Sequence, residues 1–387
     1  RKLDDIFAIQ DGIAADVVKQ LKVKLLGAAP TARATDPKAY ALYLQARQLG
    51  RQGTADAFKS SDALYRQALA IDPRYVQAWV GLAYNFISEA SIGVLSNEQG
   101  LRQAREATEK ALAIDPDDAS AQALLGYIAT SQNDLSAAAR YLERALALDP
   151  TDLDVLRNSA NLLGTLGRLP PAIAIKEYVV ARDPVNPIAL QSLGSNYLYA
   201  GRYDEAIAKF HTVLSLSPGF GDAHYFLGEA LLLKGDAAGG LAQMQQERNE
   251  GWQRIGLPLA YCALGRKADA QAAFAALIAK DAKDAPYNIA YDYAYCGEAN
   301  PAFAWLDKAV AYQDPGLSGI VTENLFDKIR HDPRWLPFLR KLGYAPEQLA
   351  KIQFTVTLPE GTDATTPAAS AASTRAATPA ATAASTT

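Results

Sequence analysis

Five prolines limit what this chain can fold into more than any other feature. Pro73, Pro116, Pro150, Pro184 and Pro218 each close a similar phrase: "ALAIDP" twice, then "ALALDP", "VVARDP" and "VLSLSP". After a first step of 43 residues, the next three steps are each 34. A fixed period of this size marks stacked supersecondary units, none of which buries its apolar face alone. A sequence built this way is one long core shared between neighbours, rather than a set of separate globules.

Aligning each unit backwards from its proline shows what the period contains. In residues 187–220, Leu190, Leu193, Tyr197, Phe210 and Val213 supply bulk, while Gly194 and Ala206 leave room for two helices to cross. Gly201 suits a helix end that needs positive φ, and Pro218 stops the second helix. This unit resembles the tetratricopeptide repeat, a helix, a turn and a helix in 34 residues. The resemblance implies an all-α, right-handed superhelical solenoid whose first helices line a concave side.

Other units follow the same outline. Residues 119–152 supply Leu125, Gly126, Leu135, Ala138, Leu142 and Ala145, and residues 153–186 supply Leu156, Ala160, Leu163, Gly167 and Ala172. Beyond Pro218 the phrase decays, but Leu227, Gly228, Gly265, Phe274, Gly297 and Leu306 keep the spacing. The 43-residue step reads as a unit with about nine extra residues, 91–100, in its internal turn. The expectation is about eight helix pairs between 38 and 315, closing helices over 316–350, an extended segment over 351–361 and a low-complexity tail over 362–387. For the extended segment, a coil lying on the last helices is favoured over a lone strand. The Ala, Thr, Ser and Pro tail lacks the apolar surface to offset its ordering entropy, so disorder is the default reading; its composition also permits O-linked sugars.

The chemistry-bearing residues are few. Three histidines, His211, His224 and His331, have no Cys, His or acid at metal-ligand spacing, and no phosphate loop, nucleophile elbow or dinucleotide fingerprint occurs. The reading is therefore no catalytic residue, no metal, no cofactor and no enzyme. Cys262 and Cys296 fall at the ends of first helices in consecutive units. Equivalent positions there are expected to lie near 10 Å apart, so two small buried thiols are favoured over a disulfide. A net charge of −4 offers no basic stripe for phosphates, so no nucleic acid is expected on this segment. No run of 18 apolar residues provides a transmembrane span.

Binding remains, and the repeat geometry indicates where. The positions that point into the concave side are Tyr84, Tyr127, Arg157, Asn161, Gln191, Tyr199, Tyr225, Glu229, Tyr287, Tyr291 and Tyr295. The last three form an i, i+4, i+8 stripe of rigid aromatic area with polar tips. Groove lining is the favoured reading of that stripe, with packing against neighbouring helices as the alternative. A protein or peptide partner follows.

The ends carry a second resemblance. "RKLDDIFAIQDGIAADVVKQLKVKLLG" has Ile6, Ile9, Ile13, Val17, Leu21 and Leu25 on one face, the pattern of an amphipathic helix over residues 1–27. "LDDIFAIQDGIA" and "LFDKIRHDPRWLPFLRKLGY" resemble the junction and closing helices of bacterial proteins in which a winged-helix activator, adenylate cyclase or kinase precedes tetratricopeptide repeats. That resemblance implies a regulatory or sensory arm of a larger protein beginning before Arg1, on the periplasmic side of the inner membrane in preference to the cytoplasm. The alternative is a structural subunit of an envelope complex, attached through its convex face and C-terminal tail.

Overall fold

The computed structural model describes residues 35–359. The amphipathic helix read over 1–27 and the tail read over 362–387 lie outside them. Among the described residues the chain is helical without strands. Sixteen helices follow in consecutive pairs: α1 (Pro37–Gly50) with α2 (Ala55–Ile71), α3 (Val76–Ser91) with α4 (Asn97–Ile114), α5 (Ala119–Ser131) with α6 (Leu135–Leu148), and α7 (Leu153–Thr165) with α8 (Leu169–Arg182). Then come α9 (Pro187–Tyr199) with α10 (Tyr203–Leu216), α11 (Ala223–Lys234) with α12 (Ala237–Gln246), α13 (Glu250–Ala263) with α14 (Lys267–Asp281), and α15 (Pro286–Tyr295) with α16 (Ala299–Ala311). Two 3-10 turns, Pro315–Gly319 and Asn324–Ile329, lead into α17 (Trp335–Leu342) and the short α18 (Pro346–Leu349).

The repeated "DP" has a local cause. A residue before proline is pushed out of the α region, so the helix must end there. Asp72, Asp115 and Asp149 sit at extended C-cap geometry, and each carboxylate accepts the backbone N–H two residues on, at 3.0, 3.1 and 2.8 Å. That turn delivers the chain to the next N-cap, such as Asp118, Asp152 or Asn186, whose side chain accepts from the first helical turn. Helix pairs cross where side chains are small. A Cβ on Gly194 would lie 2.6 Å from the buried Phe210 ring, and one on Gly126 would lie 2.6 Å from Leu142. The pair turns use positive φ, at Gly201 (72°) and, where no glycine stands, at Asn133 (62°).

Two expectations change in detail. The extra residues of the 43-residue step are not a long turn: the linker is only 92–96, and the surplus lengthens α3 to 16 and α4 to 18 residues. Leu125 is only half-buried, and its neighbour Leu124 is the fully enclosed leucine of that helix.

The stack winds tightly enough to meet itself. The Gly221 amide donates to the Gly53 carbonyl at 3.2 Å, the Ser217 hydroxyl to Gln52 at 2.6 Å, and Arg51 pairs with Asp183, so the first pair touches the fourth and fifth. The Trp252 indole donates to Ser91 at 3.1 Å, and Asn249 bonds Ile92, which joins the second pair to the seventh.

Residues 315–358 then run back over the coil. The first 3-10 turn lies against α5, α7 and α15, and Asn324 donates to the Leu198 carbonyl at 2.9 Å. Asn133 donates to Leu342 at 2.7 Å. Arg168 donates to the carbonyls of Ile352 at 2.7 Å and Phe354 at 3.0 Å, and the Phe354 ring is buried. The segment after α18 is thus a coil pinned to the turn between α7 and α8.

Candidate functional site

The inner face of this coil carries two cavities. The first, of about 390 Å³, lies among the first helices of the first five pairs, with Tyr43, Arg47, Tyr84, Ser120, Asp154, Arg157 and Ile188 on its wall. Arg157 donates to Asp154 at 2.9 Å and stands 4.8 Å over the Tyr84 ring, while its Nε is buried without an acceptor. The Tyr84 hydroxyl in turn accepts from Asn158 at 2.9 Å. The guanidinium is therefore held by its flanks while its buried Nε has no acceptor.

The second cavity, of about 530 Å³, is lined from the second to the eighth pair and by residues 314–323. Its wall combines Tyr225, Tyr287, Tyr291 and Trp252 with the carboxyl groups of Asp222, Glu229, Asp314 and Glu323. The Tyr225 and Tyr291 hydroxyls meet at 2.8 Å, and the Trp252 and Tyr225 rings lie 4.7 Å apart. Asp314 accepts the Tyr287 amide at 3.0 Å and the Gly316 amide at 2.8 Å, which fastens the closing segment to α15.

Lys176 reaches in from α8 and donates to Asn196 at 3.0 Å and to the Ser192 carbonyl at 3.3 Å. Among the described residues, no cluster of His, Cys, Asp and Glu is arranged to hold a metal ion.

The residues singled out from sequence divide between these cavities. Tyr84 and Arg157 line the first; Tyr127, Asn161, Tyr199, Tyr225, Glu229, Tyr287 and Tyr291 line the second. Gln191 lies behind the wall and donates to Asp222 at 2.8 Å, and Tyr295 sits beneath Lys328, 4.6 Å from the ring. The open groove expected around the tyrosine stripe is filled by the chain's own segment. Tyr287 and Tyr291 are 5% and 3% exposed and pack edge-on against Phe326 of the second 3-10 turn. Sequence reasoning missed Asp314 and Glu323, because nothing in the repeat pattern says that the residues after the last pair fold back inside.

The reading of two separate thiols is also corrected. Cys262 and Cys296 form a disulfide, with Cα atoms 5.5 Å apart. Cys262 lies three residues before Gly265 and Cys296 one before Gly297, so the two are not at equivalent positions. That offset brings the end of α15 up to α13, and both cysteines are half-buried.

Burial dominates the electrostatics here. It raises Glu323 and Asp222 to about 7 and Asp314 to about 6, and holds Glu229 well above the usual carboxylate range, with the Glu323 charge adding to the shift. Glu89, outside the second cavity, is likewise raised to about 7 by burial. Burial lowers Lys176 to about 7.

In the unfolded chain these carboxyls titrate near 4, so between about pH 4 and 7 the folded state holds more protons and stability falls as pH rises. Above 7 the sign reverses for Lys176, which the unfolded chain still protonates up to its ordinary 10.5. Melting temperatures should therefore fall as the pH is raised from 5 to 7. A continuous rise from 5 to 7 would contradict the assignment.

With this geometry in place, the comparisons with known proteins are informative about fold. The tetratricopeptide repeat model TPR_16 matches residues 95–152 and 192–251. These two stretches carry tetratricopeptide repeats. Solved structures of similar shape include human IFIT1 as a dimer with PPP-AAAA, 14% identical over 76% of each chain at a TM-score of 0.50, and a monomeric IFIT1 mutant with Gppp-AAAA, 14% identical over 76% of this chain and 75% of that one at 0.51. A tetratricopeptide repeat protein from Parabacteroides merdae is 18% identical over 64% of this chain and 98% of its own, with a TM-score of 0.44. No curated protein sequence matches this chain. Identities this low describe a shared fold and nothing further.

The repeat fold is consistent with a protein-interaction module. No helix among the described residues is long and apolar enough to cross a membrane.

Proposed function

We propose that this chain is the regulatory or sensory arm of a larger bacterial protein, and that it takes a short segment of a partner protein into the first inner cavity. The observation that carries this reading is the unpaired Nε of Arg157, buried beside Tyr84 in a cavity that the closing segment 315–358 leaves free. A carboxylate or backbone carbonyl of an entering peptide satisfies that donor. Six acidic side chains and one lysine on the wall of the second cavity support a peptide partner over a phosphate-bearing one. The disulfide supports an oxidising compartment, which agrees with the periplasmic side.

The test is site-specific photo-crosslinking in cells from Gln77, on the wall of the first cavity. Y84A/R157M should reduce the cross-linked partner at least about tenfold, given the worth of a charged hydrogen bond. The variant L148A, at the exposed leucine that ends α6 and lies off the wall of the first cavity, should leave it unchanged. Equal recovery from both variants, with circular dichroism unchanged, sinks the reading.

A further inference from the structure

The second cavity has features that packing alone does not account for. Glu229 is 1% exposed, yet its Oε1 has no donor, and Tyr287 is 5% exposed, yet its hydroxyl is also unpartnered. Both line the same space, and both remain unsatisfied in a chain that caps its helix ends with care. A buried polar atom without a partner is costly, and more so when charged, so these two oxygens, together with the Asn196 Nδ2 that also lacks a partner on this wall, indicate a missing ligand group.

The chemistry of the wall identifies the group. Glu323 stands close enough for its charge to act on Glu229, and Asp222 and Asp314 add to the negative field. Lys176 is the single basic side chain on that wall and is already bonded to Asn196. An anion is repelled by such a site. A hard divalent metal needs several oxygens converging at about 2.0–2.6 Å, and no such cluster exists among the described residues.

The faces of Tyr225, Tyr291 and Trp252 supply apolar area and a negative quadrupole, which favour an alkyl chain ending in an ammonium group. Two unpartnered oxygens call for N–H donors, so a primary ammonium fits where a quaternary one does not. The exposed Ser91, Gly93 and Asp284 on the same wall mark the mouth.

We infer that the second cavity of this repeat coil binds a small organic primary ammonium group, held by Glu229 Oε1 and the Tyr287 hydroxyl, with its carbon chain on the tyrosine and tryptophan faces. This site does not depend on the partner-segment reading of the first cavity, and each can fail without the other.

Calorimetric titration of the whole chain tests it, with putrescine as the probe and 1,4-butanediol and MgCl2 as controls. Putrescine should bind saturably at one site, while the neutral diol and the inorganic dication should not compete. E229Q should weaken binding at least about tenfold, and Y287F severalfold. E229Q should also raise the melting temperature of the empty protein at pH 7.5, because it removes a carboxyl that the unfolded chain ionises freely and that burial makes costly to ionise in the folded one; a purely structural glutamate would lower it.

Nα-acetyl-lysine amide, offered in parallel, separates the sources: tighter binding than putrescine assigns the ammonium group to a lysine of a partner, and weaker binding assigns it to a free amine. No putrescine binding at millimolar concentration, equal binding of MgCl2, or wild-type affinity in both variants overturns the inference.

Discussion

Replacing Cys262 and Cys296 together by alanine is expected to destabilise the end of the repeat stack by about 3–4 kcal/mol. The bridge closes a loop of 34 residues between α13 and α15, and the entropy it removes from the unfolded chain grows with the logarithm of that length. The loss should also be local. In a stack of repeats, stability is roughly a sum of nearest-neighbour terms, so the two pairs that the bridge spans bear most of the change. Hydrogen exchange in native buffer is the readout: amides of 264–311 should exchange faster in the double variant, and in the reduced wild type, while those of α5 to α8 keep their protection. A uniform loss of protection would mean that the coil unfolds as one cooperative unit, and no change at all would mean that the bridge adds nothing to packing already sufficient.

How far the sequence revealed this arrangement depends on whether the determinant was local. The period of 34 was legible because each unit repeats the same physical solution: a small residue at the helix crossing, as at Gly194 and Gly126, a turn residue such as Gly201, and a proline that ends the second helix. Of the positions expected to point inward, Tyr84, Arg157, Tyr225 and Glu229 line the cavities, whereas Gln191 and Tyr295 line neither.

The occupant of the inner face could not be read. Whether Tyr287 meets solvent or Phe326 depends on how tightly the pairs coil, which small rotations at each interface set cumulatively. The disulfide failed for a related reason. The expected spacing between equivalent positions was applied to two cysteines that the turn glycines show to be two residues out of register. The acidic cluster has no pattern at all in the sequence, since Asp314 and Glu323 come from a non-repeating segment and Glu229 from a helix of the sixth pair.

That non-repeating segment is the subject of the second large effect. Phe326→Ala should cost about 3–5 kcal/mol. The ring is 0% exposed and packs against Tyr287, Tyr291 and Trp335, with centroids 5.3 to 6.3 Å apart, so its removal leaves a cavity where three aromatic residues converge. The first pairs keep their own core, because Leu124 is buried in a cluster drawn from the first three pairs that holds no residue of the closing segment, and Phe210 packs on Gly194 within its own pair.

The variant is therefore expected to stay helical by circular dichroism while residues 315–358 lose their exchange protection and the tyrosines of α15 become open to solvent. Tyr291 then reports the change directly: its hydroxyl, held well above its ordinary range by burial, should titrate closer to 10 in a spectrophotometric alkaline scan. If helicity and the closing segment were lost together, residues 315–358 would be part of the solenoid's own core. If the segment stayed protected, the carbonyl clamp of Arg168 and the Asn324 and Asn133 bonds would be the dominant attachment, and Arg168→Ala would be the variant that opens the inner face.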